Sequence, residues 1–209
     1  MTEPKVTSVE VCNASPHLSQ GDIFKDVEYI EKVKVCGNDI EISKIIFPYV
    51  VILTQECDLL QDYKTRSKNK IVDGLISSNS ILMSVLVAPL YNEDHVLNGS
   101  HLSELKRSMA TITKYKNSKF TTDYNRLIQN ETPRYHYLNF GEDSGISPVV
   151  IDFKHYFSLD TDYLYDIKKE KFVCKILELY REDISHRFAS YLSRVGLPDE
   201  KNCHDLDQT

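Results

Sequence analysis

The residues best placed to do chemistry follow directly on an apolar run. Phe47-Pro48-Tyr49-Val50-Val51-Ile52-Leu53 gives way to Thr54-Gln55-Glu56-Cys57-Asp58-Leu59. A strand that stops at a thiol, two carboxylates and an amide puts reactive groups at the rim of a core. Cys57 is the candidate nucleophile of a cysteine-dependent hydrolase, with Asp58 beside it and His136 or His155 as the base supplied from a distant strand. The reactive form is the thiolate, which needs a nearby base or a positive field. Glu56 and Asp58 work against it, because a like charge opposes ionisation. The competing reading is structural, with Asp58 capping the next turn and Cys57 packed inward.

A second constellation suits phosphate. In Arg134-Tyr135-His136-Tyr137-Leu138, strand alternation places Arg134, His136 and Leu138 on one face and the two tyrosines on the other. Arg and His together fit an anion, and the tyrosines either stack on bases or cover the core. A third is the stretch Lys106 to Phe120, where Lys106, Arg107, Lys114, Lys116 and Lys119 occur with no acid and with Tyr115 and Phe120 interleaved. Backbone neutralisation plus aromatic stacking is the chemistry of single-strand binding. His136, Asp152 and His155 have no ligand-spacing signature, so no metal is expected of them. P-loop, G-x-G-x-x-G, H-E-x-x-H and G-x-S-x-G motifs are absent, and no cofactor is expected.

The charge distribution agrees with the basic middle. The net charge is −6, but residues 1–60 carry −5, residues 61–140 carry +4 and the remainder −5. Five cysteines, odd in number and without C-x-x-C spacing, read as reduced thiols, with Cys12, Cys36 and Cys174 as small half-buried apolar residues. With no basic-then-apolar leader after Met1 and no apolar run near membrane-spanning length, a cytoplasmic location away from membranes is expected.

These groups must be held by short strands. Val33–Cys36 and Asp39–Ile46 flank Gly37-Asn38, a two-residue hairpin signal. Tyr49–Leu53 reads as a central strand buried on both faces, Ser80–Leu90 as a strand ended by Pro89, and Pro148–Phe153 as another. Asp58–Lys70 reads as a loop or frayed helix, and His101–Arg107 as a helix start. Between 181 and 195 the apolar residues Ile184, Phe188, Tyr191, Leu192 and Val195 make one stripe of an amphipathic helix, stopped by Gly196 and Pro198.

Gly21-Asp22-Ile23, Pro48 to Leu53 and Ser80 to Pro89 together resemble the MazF/PemK toxin family, over residues 21–90. The resemblance implies a small SH3-like barrel and a homodimer. The arginine that precedes the proline in that family and serves RNA cleavage is replaced here by Phe47, so the barrel is implied and the ribonuclease is not.

The expected architecture is therefore α+β: an SH3-like antiparallel β-barrel with loop insertions and a terminal amphipathic helix. Residues 1–17 are expected to form a loose lead-in, 18–198 one domain, and 199–209 a disordered tail. The expected function is a non-catalytic nucleic-acid or nucleotide-binding module in a toxin–antitoxin-like or phage-defence setting, contacting single-stranded RNA or DNA through residues 106–119 and Arg134. The alternatives are the hydrolase or ribonuclease-like toxin built on Cys57, Asp58 and His136, and an interaction subunit docking a partner protein through its terminal helix.

Overall fold

Gly37 and Asn38 set the longest feature of the molecule. Gly37 has φ +65°, the first central position of a type II′ turn, and Cys36 pairs with Asp39 across it. The turn joins two long strands, β2 (Asp22–Cys36) and β3 (Asp39–Ile52). Their proximal halves enter the core and their distal halves stand out as a two-stranded arm. In the computed structural model the described residues are 9–10, 15–68, 79–141 and 145–194.

Within the expected lead-in, Val9–Glu10 forms a short strand (β1). Thr54-Gln55 leads into a helix, α1 (Glu56–Lys68), where a loop or frayed helix was expected. Its acids Glu56 and Asp58 lie in the first turn and its bases Arg66 and Lys68 in the last, as the macrodipole favours. Strand β4 (Ser84–Asn92) runs into the short helix α2 (Glu93–Leu97). A small hairpin, β5 (Tyr115–Lys116) and β6 (Lys119–Phe120), precedes helix α3 (Thr122–Ile128). Strands β7 (Tyr135–Leu138), β8 (Val149–Asp152) and β9 (Phe157–Asp160) come next. Helix α4 (Thr161–Lys171), strand β10 (Phe172–Ile176) and helix α5 (Glu178–Leu192) complete the fold. Residues 157–176, to which the sequence reading assigns no element, hold the alternating run Phe172, Cys174, Ile176 that becomes β10.

The protein is α+β, with an antiparallel sheet in the order β1-β10-β2-β3-β4-β8-β7, and β9 also paired to β4. Among the described residues nothing joins β1 to β7, so the sheet stays open and the expected closed barrel is not formed. The alternation inside β3 gives the reason. Val51 and Leu53 face a core shared with Ile184 and Phe188 of α5, while Val50 and Ile52 face a core shared with Leu59 of α1 and Leu164 of α4. Both faces are apolar and both are covered by helices, which leaves no interior for a barrel to enclose.

The stripe Ile184, Phe188, Tyr191 of α5 is thus already packed on the sheet, whereas Leu192 is exposed. The expected stripe residue Val195, and the 199–209 tail, lie outside the described residues. Cys174 is buried, but Cys36 sits exposed at the arm tip rather than half-buried.

Pro89 does not end β4; it changes what pairs with it. Leu86 turns its backbone toward β3: its N–H donates to Thr54 Oγ1 at 2.6 Å and its carbonyl accepts from Leu53 at 2.8 Å. Backbone polarity alternates along a strand, so the N–H that Pro89 lacks belongs to the opposite edge. There β9 pairs as far as Val87↔Phe157, and β8 resumes at Leu90↔Ile151. Five residues, 152–156, therefore face only two, Ala88 and Pro89. The surplus is taken up by a 3₁₀ turn over Phe153–His155, capped by Asp152, whose side chain accepts from Lys154 N–H. A missing donor thus lets the strand bulge, and the bulge carries an Asp and a His.

Candidate functional site

Five side chains meet at that bulge. Asp152 ends β8 and is 1 % exposed. Arg134, one residue before β7 and beside Asp152 through the Tyr135↔Asp152 pairing, donates from Nε to Oδ1 at 2.8 Å and from Nη2 to Oδ2 at 2.5 Å. His155 in the 3₁₀ turn places Nδ1 3.3 Å from Asp152 Oδ2 and 3.2 Å from the hydroxyl of Tyr91, at the end of β4. His101 is the fifth. It arrives from the loop after α2 and lies over Tyr91, with ring centroids 4.8 Å apart. One ligand atom from each of His101, Asp152 and His155 falls within 4.8 Å of the others.

Gly99 delivers His101 to this place. Its φ is +68°, and a Cβ there would stand 2.2 Å from the carbonyl oxygen of Met109. Only glycine lets the two loop strands approach so closely, tied by the Met109 N–H to Gly99 carbonyl bond of 2.8 Å. The expected helix over His101–Arg107 is reduced to a 3₁₀ turn at Ser103–Leu105, which Lys106 ends in the left-handed region with φ 56°.

Burial dominates the electrostatics. It pushes both His101 and His155 below the ordinary histidine value; Asp152 pulls the other way, and Arg134 adds to the lowering in both. Burial, then Asp152, pushes the Tyr91 phenol well up. The hydrogen bond to Asp152 raises Arg134. Tyr91 and His101 line a groove of about 600 Å³, together with Phe47, Tyr49, Ser103 and Glu104.

The sequence-predicted residues are dispersed. Cys57 is exposed, not packed inward, and donates to Gln55 Oε1 and Asp58 Oδ1, each at 3.6 Å. Asp58 lies in the first turn of α1. His136 is buried on β7 with its ring 6.1 Å from that of Phe153, and β4 and β8 separate its strand from β3. The structure does not bring Cys57 and His136 together. It is Glu56 that is central here: it accepts from Gln20 N–H at 2.8 Å, lies 3.6 Å from His17 and 3.3 Å from Arg181, and so pins α1 to α5. Arg181, buried on the apolar side of its helix, is thus paired with a carboxylate.

Of the basic set, Lys106, Arg107, Lys116 and Lys119 are exposed, as is Tyr115. Lys114 is held by Glu93 at 3.0 Å and Arg134 by Asp152, so neither is free for phosphate. Tyr137 is buried in a satellite core with Tyr124 and Val150, and Tyr135 packs against it, so these rings cover the core rather than stack on bases. Arg187 donates to the carbonyls of Thr132 and Tyr135 at 3.0 and 2.9 Å, which fastens α5 to β7.

The sequence reading missed His101 and Tyr91. No spacing links positions 91, 101, 134, 152 and 155; the nearest signals were Pro89 and Gly99, a strand irregularity and a tight turn beside aromatic residues. No protein-family model matches the chain, and no curated protein matches it.

Proposed function

We propose that this chain binds a phosphate-bearing single strand, RNA or DNA, along the groove beside Tyr91 and His101. One observation carries the reading. Lys106 and Arg107 directly follow the groove-lining turn, are exposed, and have no ion-pair partner among the described residues. The field of Arg107 reaches His155 at the bulge. A cationic rim over an aromatic floor is the arrangement that single strands use.

The β5–β6 hairpin supports it from a second side. Asn117 and Ser118 both have positive φ, as a type I′ turn requires, and Lys116 pairs directly with Lys119. Like charges directly opposite each other are unfavourable in isolation, and a phosphate between them relieves the repulsion. The likeness of residues 21–90 to MazF/PemK toxins makes RNA the first probe and a toxin–antitoxin-like setting the natural context.

The test is fluorescence anisotropy of a labelled single-stranded oligonucleotide across a salt series. Affinity should fall log-linearly with salt, and Lys106→Ala and Arg107→Ala should each reduce the slope by about 1. Affinity indifferent to salt, or to both substitutions, overturns the reading.

A further inference from the structure

The bulge cluster has a second capacity, independent of what the groove holds. We infer that His101, His155 and Asp152 form a binding site for one divalent transition ion of the zinc–cobalt class. Two imidazoles and a carboxylate are the donor set such ions select, and three protein ligands with one open position is the pattern of a zinc centre that also takes an exogenous ligand. Of these side chains His101, with the neighbouring Tyr91, also lines the groove.

Three observations carry this. First, the three donor atoms already lie within 4.8 Å of one another, while donors around a tetrahedral ion stand about 3.4 Å apart at the usual bond lengths. Small side-chain rotations close the difference. Second, both ring nitrogens of His101 are shut off from solvent and neither makes a hydrogen bond of normal geometry. The nearby His95 carbonyl accepts from Ser100 N–H at 2.8 Å and keeps a second lone pair toward the His101 ring, which leaves the other ring nitrogen unsatisfied. Buried polar atoms are normally satisfied, and an ion would satisfy one of these. Third, His155 Nδ1 faces the Asp152 carboxylate and the Tyr91 hydroxyl at once, at 3.3 and 3.2 Å, neither contact a close one.

Arg134 is compatible with the ion. Each carboxylate oxygen has two lone pairs. Arg134 uses one on each oxygen and Lys154 N–H uses the second on Oδ1 at 3.0 Å, which leaves Oδ2 a lone pair on the side of His155. Arg134 then acts as an outer partner that orients the ligating carboxylate. His136, from which with Asp152 and His155 no metal site was expected, packs beside Phe153.

The test uses the metal-stripped full-length chain titrated with Co²⁺ and followed by visible absorption, with Zn²⁺ calorimetry alongside. The expected result is the ligand-field spectrum of four-coordinate cobalt at one ion per chain, displaced by Zn²⁺ and without a thiolate charge-transfer band. His101→Ala and His155→Ala should each weaken binding by at least about 100-fold, while His186→Ala, on the exposed face of α5, should not. Circular dichroism separates lost ligation from lost folding in the variants. Absence of the cobalt spectrum in the wild-type chain overturns the inference. So does a thiolate band, which moves the ion to a cysteine, and so does unchanged affinity in folded His101→Ala. Oligonucleotide binding is read separately, so failure of either proposal leaves the other standing.

Discussion

Arg134 and Asp152 are joined by two parallel hydrogen bonds, of 2.8 and 2.5 Å, although one precedes β7 and the other ends β8. The pair locks the end strand of the sheet to the bulge that presents His155. It also answers the cost of placing a carboxylate where only 1 % of its residue surface meets solvent.

Arg134→Met keeps the aliphatic stem and removes the charge. It should destabilise the protein by about 3 kcal/mol in urea denaturation, at the lower end of the range for a broken buried pair because the arginine is 27 % exposed. Adding Asp152→Asn should recover part of that loss. If the double variant is less stable than the single one, an unpaired Asp152 charge is not the cause.

In a second pair both partners are buried: Asp22 and Lys168 lie 2.8 Å apart, with the lysine also donating to the His17 carbonyl. Burial lifts the Asp22 carboxyl above its ordinary range even though Lys168 pulls it down. In Lys168→Met that pull is gone, so the folded-state value rises further above the unfolded value of 3.8. A raised folded value means that the folded state holds its proton more tightly, so the contribution to stability falls as pH rises through the two values. The variant should therefore lose about 3 to 5 kcal/mol at pH 7 and distinctly less at pH 4, relative to wild type at each pH. An equal loss at both would refute the assignment.

Gly99→Ala forces a Cβ against the Met109 carbonyl at a positive φ. A loss of about 2 kcal/mol is expected, together with faster amide exchange across residues 99–109 and weaker protection of the His101 ring in NMR. Wild-type stability would mean that this loop relaxes freely and does not position His101.

The arm carries Val33, Val35, Ile40 and Ile42, each more than half exposed, in the direct pairs Val33↔Ile42 and Val35↔Ile40. Val35→Thr with Ile40→Thr keeps β-propensity and should change chemical-denaturation stability by less than about 1 kcal/mol. The same change at the fully buried Val51 should cost about 1 to 3 kcal/mol, because it buries an extra hydroxyl. Comparable losses at both places would show that the arm is covered.

Much of the fold was legible locally. Gly37-Asn38 dictated a hairpin because only a residue free of Cβ strain takes the first turn position. The unbroken Tyr49–Leu53 run announced a strand covered on both faces, and the spacing of Ile184, Phe188 and Tyr191 announced a helix. Each of these signals is a short-range steric or periodic constraint, carried whole within a few residues. What covers the two faces of β3 is not such a constraint, and there the sheet proved open where a barrel was expected.

The site depended on the tertiary structure almost entirely. Thr54 to Asp58 had every chemical type needed for a nucleophilic centre, yet the fold spends Glu56 on Arg181 and leaves Cys57 at the surface with an amide and a carboxylate for company. The cluster that does form draws Tyr91, His101, Arg134, Asp152 and His155 from four separate segments, and no sequence spacing records their meeting. What the sequence by itself determined was the cause: a proline without a donor at 89 and a glycine at 99 that admits close approach. Which side chains those two irregularities would bring together was decided only when β8 and β9 lay along β4, because the missing hydrogen bond acts across strands and not along the chain.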